Sequence, residues 1–338
     1  MAIKNATDNS GNKNPLSFEE IEIEFGQNPG RSLGRYRNSH PDFGNKNLGE
    51  LTDLPLDTGI PKTGEIKFSD FYSKQLNVVI DCHSKGNTKY NLDAYVNRFL
   101  NGDYDIVGNY RTQVTKKTWQ GGKKVIIHIN KTFGSKDAEN RNDVAFKTGN
   151  FNNNVNQNGW PNSTSLSVDV GGEGLVGGKG GNGGDTGNEE SPGEDGGVGT
   201  SAMKIPSGLQ DEISGESRIF GGGGGGAGGP GAEQNDWGDK NSASGGGGGG
   251  GAGIPAGIHG DSGGKASAKD GKDGTASAGG EGGKGGEGGE AEGATGGDGG
   301  DRGEAGGGSF SEKDEGHDPS LEHGHKDGGA AGHQYRFY

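Results

Sequence analysis

Residues 177–185 read Gly-Gly-Lys-Gly-Gly-Asn-Gly-Gly-Asp, three triplets in which glycine fills the first two positions. The pattern returns at 279–290 with Glu or Lys in third place, and at 296–301 with Asp. A period of three is that of the extended left-handed polyproline II helix, which has no internal hydrogen bonds. Where two of every three residues lack a side chain, neighbouring helices can approach until their backbones bond to one another. The triplets therefore predict a bundle of packed polyglycine II-type helices.

Two other structures share a glycine-rich composition. Collagen needs one glycine per triplet and abundant proline, whereas this chain has 78 glycines and 11 prolines. Disorder is an open alternative, because glycine loses the most entropy on folding and large apolar residues are scarce here. Order is favoured by the runs 221–226 and 245–251, which contain only glycine, as helices surrounded by others require. Each run adjoins an apolar anchor, Ile219-Phe220 before the first and Ile254-Pro255 after the second.

Glycine is unevenly distributed along the chain. Only 16 of the 78 glycines precede residue 171, and AVILMFWYC residues make up 25% of the whole, too few for conventional cores throughout. The composition predicts an N-terminal module with short helical turns at 1–75, a small α+β domain at 76–170, and a glycine-rich helix domain at 171–338. The expected fold class is mostly β and irregular, with the segments that interrupt the triplets projecting as loops.

Local patterns place the first elements. A helix is predicted to begin after Ser17, because Glu20 three residues later completes a capping box. Other short elements are predicted as follows: helical turns after Ser32 and Ser69, a helix at 92–100, and strands at 66–68, 78–80, 125–129, 144–146 and 166–170.

Charge and cysteine content exclude several classes. The net charge of −14 argues against nucleic-acid binding, which depends on clustered Lys and Arg. Cys82 is the single cysteine, so no intrachain disulfide is expected, and we predict that it is a small buried apolar residue. No apolar run reaches membrane-spanning length, and no signal peptide is recognisable, so we expect a soluble protein that does not insert into a membrane.

Six motifs resemble phage proteins. They are Leu16-Ser-Phe-Glu-Glu-Ile21 followed by Phe25-Gly26, the pair Tyr36-Arg37, Gly59-Ile-Pro-Lys-Thr-Gly-Glu-Ile-Lys-Phe-Ser-Asp-Phe-Tyr72, Lys124-Val-Ile-Ile-His-Ile-Asn-Lys-Thr-Phe-Gly134, Val144-Ala-Phe-Lys-Thr-Gly149, and 245–255. The first three are similar to an N-terminal module common in structural proteins of tailed bacteriophages. The last three resemble glycine-rich phage tail fibre and adhesin proteins.

This resemblance implies a virion component that binds a receptor on the bacterial surface, either an outer-membrane protein or a polysaccharide. It also implies that residues 1–75 attach the chain to other tail or baseplate proteins. Adhesins of this kind display receptor-contacting loops on a polyglycine scaffold. The alternative is a purely structural baseplate or fibre subunit whose glycine-rich domain is a spacer or a packing layer. Whether the chain forms a homo-oligomer is open, since a polyglycine bundle can close within one chain.

Aromatic residues are the candidate receptor contacts, because large exposed rings dominate binding energy. The candidates are Trp160, Trp237, Phe310, Tyr335, Phe337 and Tyr338. For Trp160 and Phe310, an equal alternative is that the ring covers the core. For Tyr335, Phe337 and Tyr338, the alternative is that they dock onto a neighbouring chain.

No catalytic residues and no cofactor are predicted. The carboxylates lie mostly at the third positions of triplets, where solubility explains them, so we do not expect an enzyme. His323 and His325 form an HxH pair that could hold a transition metal, but the favoured interpretation is a hydrophilic segment in water.

Overall fold

The computed structural model describes residues 3–25, 31–36, 59–61, 63–74, 78–82, 89–92, 96, 124–136, 142–152, 159–162, 164–187, 192–236, 239–263, 267–288, 291–309 and 326–338. Strands and extended segments predominate there, and helices are few and short, so the fold is mostly β and irregular, as predicted. No helix within these ranges is both long and apolar enough to cross a bilayer. The predicted helix at 92–100 lies largely outside the described residues.

Three sheets of parallel strands form the middle of the chain. Their strands are β1 (Val78–Cys82), β2 (Tyr90–Asn91), β3 (Lys124–Ile129), β4 (Thr132–Phe133), β5 (Val144–Lys147), β6 (Ser165–Val170), β7 (Leu175–Gly177), β8 (Ser201–Ile205), β9 (Ile213–Ser214), β10 (Ile219–Phe220) and β15 (Tyr335–Phe337). The sheet orders are β1-β3-β6-β9, β4-β7-β10 and β2-β5-β8-β15. Along the chain, β3, β4 and β5 are followed by β6, β7 and β8, which lie in the same three sheets. The chain therefore winds repeatedly around one interior, and these turns of parallel strands are called here the coils.

Strand register stacks apolar side chains inside these coils. The interior columns are Ile80, Ile127 and Val168 in the first sheet, Phe133, Val176 and Ile219 in the second, and Tyr90, Phe146, Met203 and Tyr335 in the third. Cys82 lies beside Ile129 and is fully buried, which confirms the prediction for the cysteine. The strand predictions at 78–80, 125–129, 144–146 and 166–170 are likewise confirmed.

The glycine-rich half consists of extended segments joined by hydrogen bonds at every third residue. Among the described residues the segments are 178–187, 193–200, 221–230, 244–255, 257–263, 268–275, 278–286, 293–301, 303–309 and 326–333. The repeat is plainest where the amides of Gly178, Gly181, Gly184 and Gly187 donate to the carbonyls of Phe220, Gly223, Gly226 and Gly229.

The two segments that contain the all-glycine runs lie inside the bundle. In 221–230, the consecutive amides of Gly222, Gly223 and Gly224 donate to Thr200, Ala252 and Glu304, which belong to three different segments. Hydrogen bonds join this segment to 178–187, 193–200, 244–255, 293–301, 303–309 and 326–333. Segment 244–255 is bonded to 178–187, 221–230, 257–263, 268–275, 278–286 and 293–301. Six neighbours enclose each segment in the described part of the chain, so a Cβ added at any glycine of the runs 221–226 and 245–251 would clash with neighbouring backbone.

The bundle is inserted into the coils rather than appended to them. Residues 178–200 lie between β7 and β8, and residues 221–334 lie between β10 and β15. The sheets therefore continue past the compositional change at residue 171. Phe220 and Ile254 are buried where the bundle meets the coils, and the amide of Ser135 donates to the Ile254 carbonyl at 2.8 Å. These are the apolar anchors that the sequence indicated.

The N-terminal region contains one helix and two described helical turns. Helix α1 (Phe18–Phe25) has the predicted capping box, with the Ser17 amide 2.8 Å from Glu20 Oε2 and the Glu20 amide 3.2 Å from Ser17 Oγ. The turn predicted after Ser32 is also present, as a 3-10 helix over Leu33–Tyr36. The strand predicted at 66–68 is wrong, because Phe68 begins a 3-10 helix, Phe68–Phe71, whose Asp70 carboxylate accepts from the Lys67 amide.

Candidate functional site

The segments of the bundle run alternately away from the coils and back towards them. Turns near the coils join 244–255 to 257–263, 268–275 to 278–286, and 293–301 to 303–309. The remaining connections begin and end at the opposite end of the bundle and are named here the distal connections: 188–192, 231–243, 264–267, 287–292 and 310–325. They share that end because the segments that carry them are bonded there, for example Gly187 to Gly229, Gly286 to Ser244, and Ala294 to Pro230.

Two distal connections are hairpins. Strands β11 (Ala232–Asp236) and β12 (Asp239–Ala243) are antiparallel, as are β13 (Glu287–Gly288) and β14 (Ala291–Glu292), and β12 contacts both β13 and β14. Trp237 lies outside the described residues, but its neighbours Asp236 and Asp239 are register partners. The strands on either side of this position therefore lie at the distal end of the bundle.

The distal connections are strongly acidic. Together they contain 13 Asp and Glu against 3 Lys and no Arg, a balance of −10 in a chain of net charge −14. The excess of negative charge therefore belongs to the stretches of sequence that begin and end at the distal end.

Trp160 is not on this surface. Its side chain is fully buried, and its Nε1 donates to the Thr148 carbonyl at 2.9 Å. A Cβ at Gly149 would lie 2.7 Å from that same Nε1, so the indole is packed against backbone. Trp160 thus has the core position that was the alternative for it, and a buried ring is not available to a receptor.

The three C-terminal aromatic residues lie on the coils, at the end of the bundle away from the distal connections. The Tyr335 hydroxyl is near Glu216, and burial, followed by that carboxylate, raises the pKa of Tyr335 well above its usual range. The Tyr338 hydroxyl accepts from the Gly149 amide, and Lys204 Nζ lies 4.5 Å above the Tyr338 ring. Phe337 is half exposed. The structure does not bring these residues together with the segment that carries Trp237.

Phe310, His323 and His325 lie outside the described residues. The described residues on either side of them, Ser309 and Lys326, are hydrogen-bonded at 3.1 Å, so this connection begins and ends at the distal end. The sequence singled out its aromatic and histidine residues but not the charge balance that it shares with its neighbours. The excess of acidic residues becomes visible only when the five distal connections are counted together.

Comparison with known proteins identifies the family. A model of the GP38 family, described as "Phage tail fibre adhesin Gp38", matches residues 87–336. The chain belongs to the Gp38 family of phage tail fibre adhesins. It is therefore a component of the virion tail that binds a receptor on the host surface, and the function predicted from the resemblance is confirmed.

One solved structure and the curated proteins complete the comparison. The crystal structure of the gp37–gp38 adhesin tip complex of the bacteriophage S16 long tail fibre is similar to this chain at 15% sequence identity, with a TM-score of 0.33. The match covers 96% of this Gp38-family chain and 94% of that one. No curated protein sequence matches the chain.

Proposed function

We propose that this adhesin contacts its receptor through the distal connections, with Trp237 and Phe310 as aromatic anchors. The observation that carries the proposal is topological: all five connections leave the bundle at one end, while the other end is bonded to the coils. Recognition residues are commonly mounted on loops held by a rigid frame. A frame whose five connections begin and end at one end suits an adhesin.

The frame itself is, in our proposal, a bundle of polyglycine II helices. Hydrogen bonds at every third residue and three consecutive amides that point to three neighbours are what a threefold helix requires. At about 3.1 Å per residue, a ten-residue segment such as 178–187 spans about 30 Å. That length would carry the distal connections clear of the coils.

The charge of the distal connections favours one class of receptor. A surface at −10 is repelled by the phosphates of an anionic lipopolysaccharide and attracted by Lys and Arg. We therefore propose that the receptor is a protein loop with basic residues rather than a phosphorylated polysaccharide. The adhesin binds this loop without chemical conversion.

We further propose that residues 1–75 attach the adhesin to another tail fibre protein, while 171–338 carry recognition. The described N-terminal residues close on themselves: the Ile3 amide donates to Lys74, the Tyr72 hydroxyl to Asn14, and Ser73 Oγ to Asn5. Another tail fibre protein can bind such a closed module without disturbing the bundle. This role suits a fibre-tip protein, which needs one bound end and one free end.

The test compares aromatic residues at the two ends. Phage carrying Trp237→Ala with Phe310→Ala should adsorb about tenfold or more slowly than the parent phage, as expected for loss of binding anchors. Phe337→Ala is the matched control, since it removes an exposed ring near the coils, and it should leave adsorption within about twofold. Purified particles are blotted for the adhesin, so that failed assembly is separated from failed binding. Normal adsorption by the double variant, with full incorporation, would refute the assignment.

A further inference from the structure

A histidine and three aspartates meet on the side of the bundle, just below the distal connection 264–267. His259 and Asp261 belong to segment 257–263, and Asp270 and Asp273 belong to 268–275. The two segments are held side by side by the amides of Gly271 and Gly274, which donate to Gly260 and Gly257 at 3.2 and 3.0 Å. The backbone therefore fixes which side chains face one another across the pair.

Three of these residues offer ligand atoms at one point. One atom each of His259, Asp261 and Asp270 lie within 4.8 Å of one another, the single such group of His, Cys, Asp and Glu in the described part of the chain. His259 Nε2 is 3.8 Å from Asp261 Oδ1. A tetrahedral ion with ligands at about 2.0 Å needs its ligand atoms about 3.3 Å apart. These exposed side chains can close that difference by small rotations.

The fourth residue orients the imidazole. Asp273 Oδ1 is 2.6 Å from His259 Nδ1 and also accepts from the His259 amide at 2.9 Å. A proton held on Nδ1 leaves the lone pair of the neutral ring on Nε2, which faces Asp261. Histidines that bind metals commonly donate their other ring N–H to a carboxylate in this way.

Backbone amides hold the carboxylates in place. The Ser262 amide donates to Asp270 Oδ1 at 2.7 Å, and the His259 amide donates to Asp273 Oδ1 at 2.9 Å. Ionised carboxylates are the form that binds metal. Three carboxylates around one imidazole attract a divalent ion.

We propose that His259, Asp261 and Asp270 form a binding site for a divalent first-row transition metal of the zinc type. An imidazole nitrogen with two carboxylate oxygens suits Zn²⁺, whereas Ca²⁺ and Mg²⁺ prefer sites made only of oxygen. The ion would join segments 257–263 and 268–275 where they enter and leave the connection 264–267. It would thus stiffen one of the five distal connections. The site stands on its own geometry, whether or not that connection touches the receptor.

Titration calorimetry with ZnCl₂ on the metal-free full-length protein tests the site. Every protein tested also carries His323→Ala and His325→Ala, so that these two histidines cannot contribute to Zn²⁺ binding. One equivalent of Zn²⁺ should bind, and His259→Ala or Asp270→Asn should weaken binding about tenfold or more. Asp273→Asn should weaken it about 10- to 100-fold through loss of the orienting contact. CaCl₂ should produce no comparable binding.

Two controls isolate the cluster. Asp298→Asn removes an exposed carboxylate that accepts from the Gly282 amide elsewhere in the bundle, and it should leave Zn²⁺ affinity unchanged. Amide exchange of residues 247–250 reports whether each variant keeps the bundle, and His259→Gln replaces His259→Ala if the latter disturbs it. Absence of Zn²⁺ binding, or equal affinity in the folded His259 and Asp270 variants, would overturn the proposal.

Discussion

At the scale of single residues, the bundle depends on glycine, which has only a hydrogen atom in place of a side chain. A Cβ added at Gly225 would lie 1.8 Å from the Asn182 carbonyl oxygen, and one at Gly222 would lie 1.9 Å from that of Lys179. Both obstacles are backbone atoms, which cannot move aside as a flexible side chain does. The third residue of each triplet meets no such limit, and Lys284 and Glu281 are exposed there. Residue choice is therefore strict at every position of the run 221–226 and at two positions in three of the triplets.

Two adjacent residues test this rule. Gly283→Ala would place its Cβ 1.9 Å from the Lys269 carbonyl oxygen, so we expect a loss of about 1–3 kcal/mol in unfolding free energy. The entropy gained by replacing glycine, up to about 1 kcal/mol, is too small to offset the clash. Lys284→Ala, on the same segment, should change stability by less than about 0.5 kcal/mol. Thermal unfolding measures both, and equal midpoints would mean that the segments are not packed backbone to backbone.

At the scale of elements, aromatic rings join the strands of neighbouring coils. Tyr90 on β2 stacks on Phe146 of β5 with ring centres 5.2 Å apart. Phe133 on β4 meets both rings edge-on, at 5.0 and 5.3 Å. Each strand has few residues, so strand pairing alone offers little stability. The rings supply buried area that two-residue strands lack.

Phe146 is fully buried and lies on the longest of the trio's three strands, β5. Phe146→Ala leaves a cavity in a fully buried site and should lower the unfolding free energy of the coils by about 3–5 kcal/mol. Lys147→Ala, the next residue of β5, is the control and should be nearly neutral. Denaturant unfolding followed by tyrosine and tryptophan fluorescence measures the difference. A Phe146→Ala protein as stable as the control would show that this cluster does not hold the coils together.

At the scale of the whole molecule, the end of the chain closes the last coil after the long excursion through the bundle. Strand β15 pairs with β8 in parallel, and the Ala202 amide donates to the His333 carbonyl at 2.9 Å. The Arg302 guanidinium carbon lies 3.7 Å from the centre of the Phe220 ring, where the bundle meets the coils. Bundle and coils are therefore fastened at both ends of residues 221–334.

Deleting residues 335–338 should loosen this closure without dissolving the bundle. Amides at 201–205 and 329–332 should exchange with solvent about tenfold faster, because they lose the last strand or lie next to the freed end. Amides at 247–250 should keep their protection, since all their bonding partners lie within the bundle. Hydrogen–deuterium exchange with mass spectrometry resolves these ranges. Uniform acceleration across them would show that bundle and coils unfold as one unit.

The sequence alone determined the features that depend on local pattern. Triplets and glycine runs marked the segments without side chains, the Ser17–Glu20 spacing gave the helix start, and β-branched runs gave strands β3 and β6. Family membership followed from motifs of the same local kind. These features succeed because their cause lies within a few residues.

Tertiary structure decided what depends on residues far apart. No local pattern shows that β3 pairs with both β1 and β6, that the bundle is inserted between β10 and β15, or that the distal connections share one end. The sequence left two positions open for Trp160, and only the structure shows its ring buried with Nε1 bonded to the Thr148 carbonyl. His259 and Asp270 acquire a common environment only through the backbone bonds between two segments. Hydrogen bonds between backbones carry no side-chain signature, so a glycine-rich sequence specifies that its segments will pack but not which segments will be neighbours.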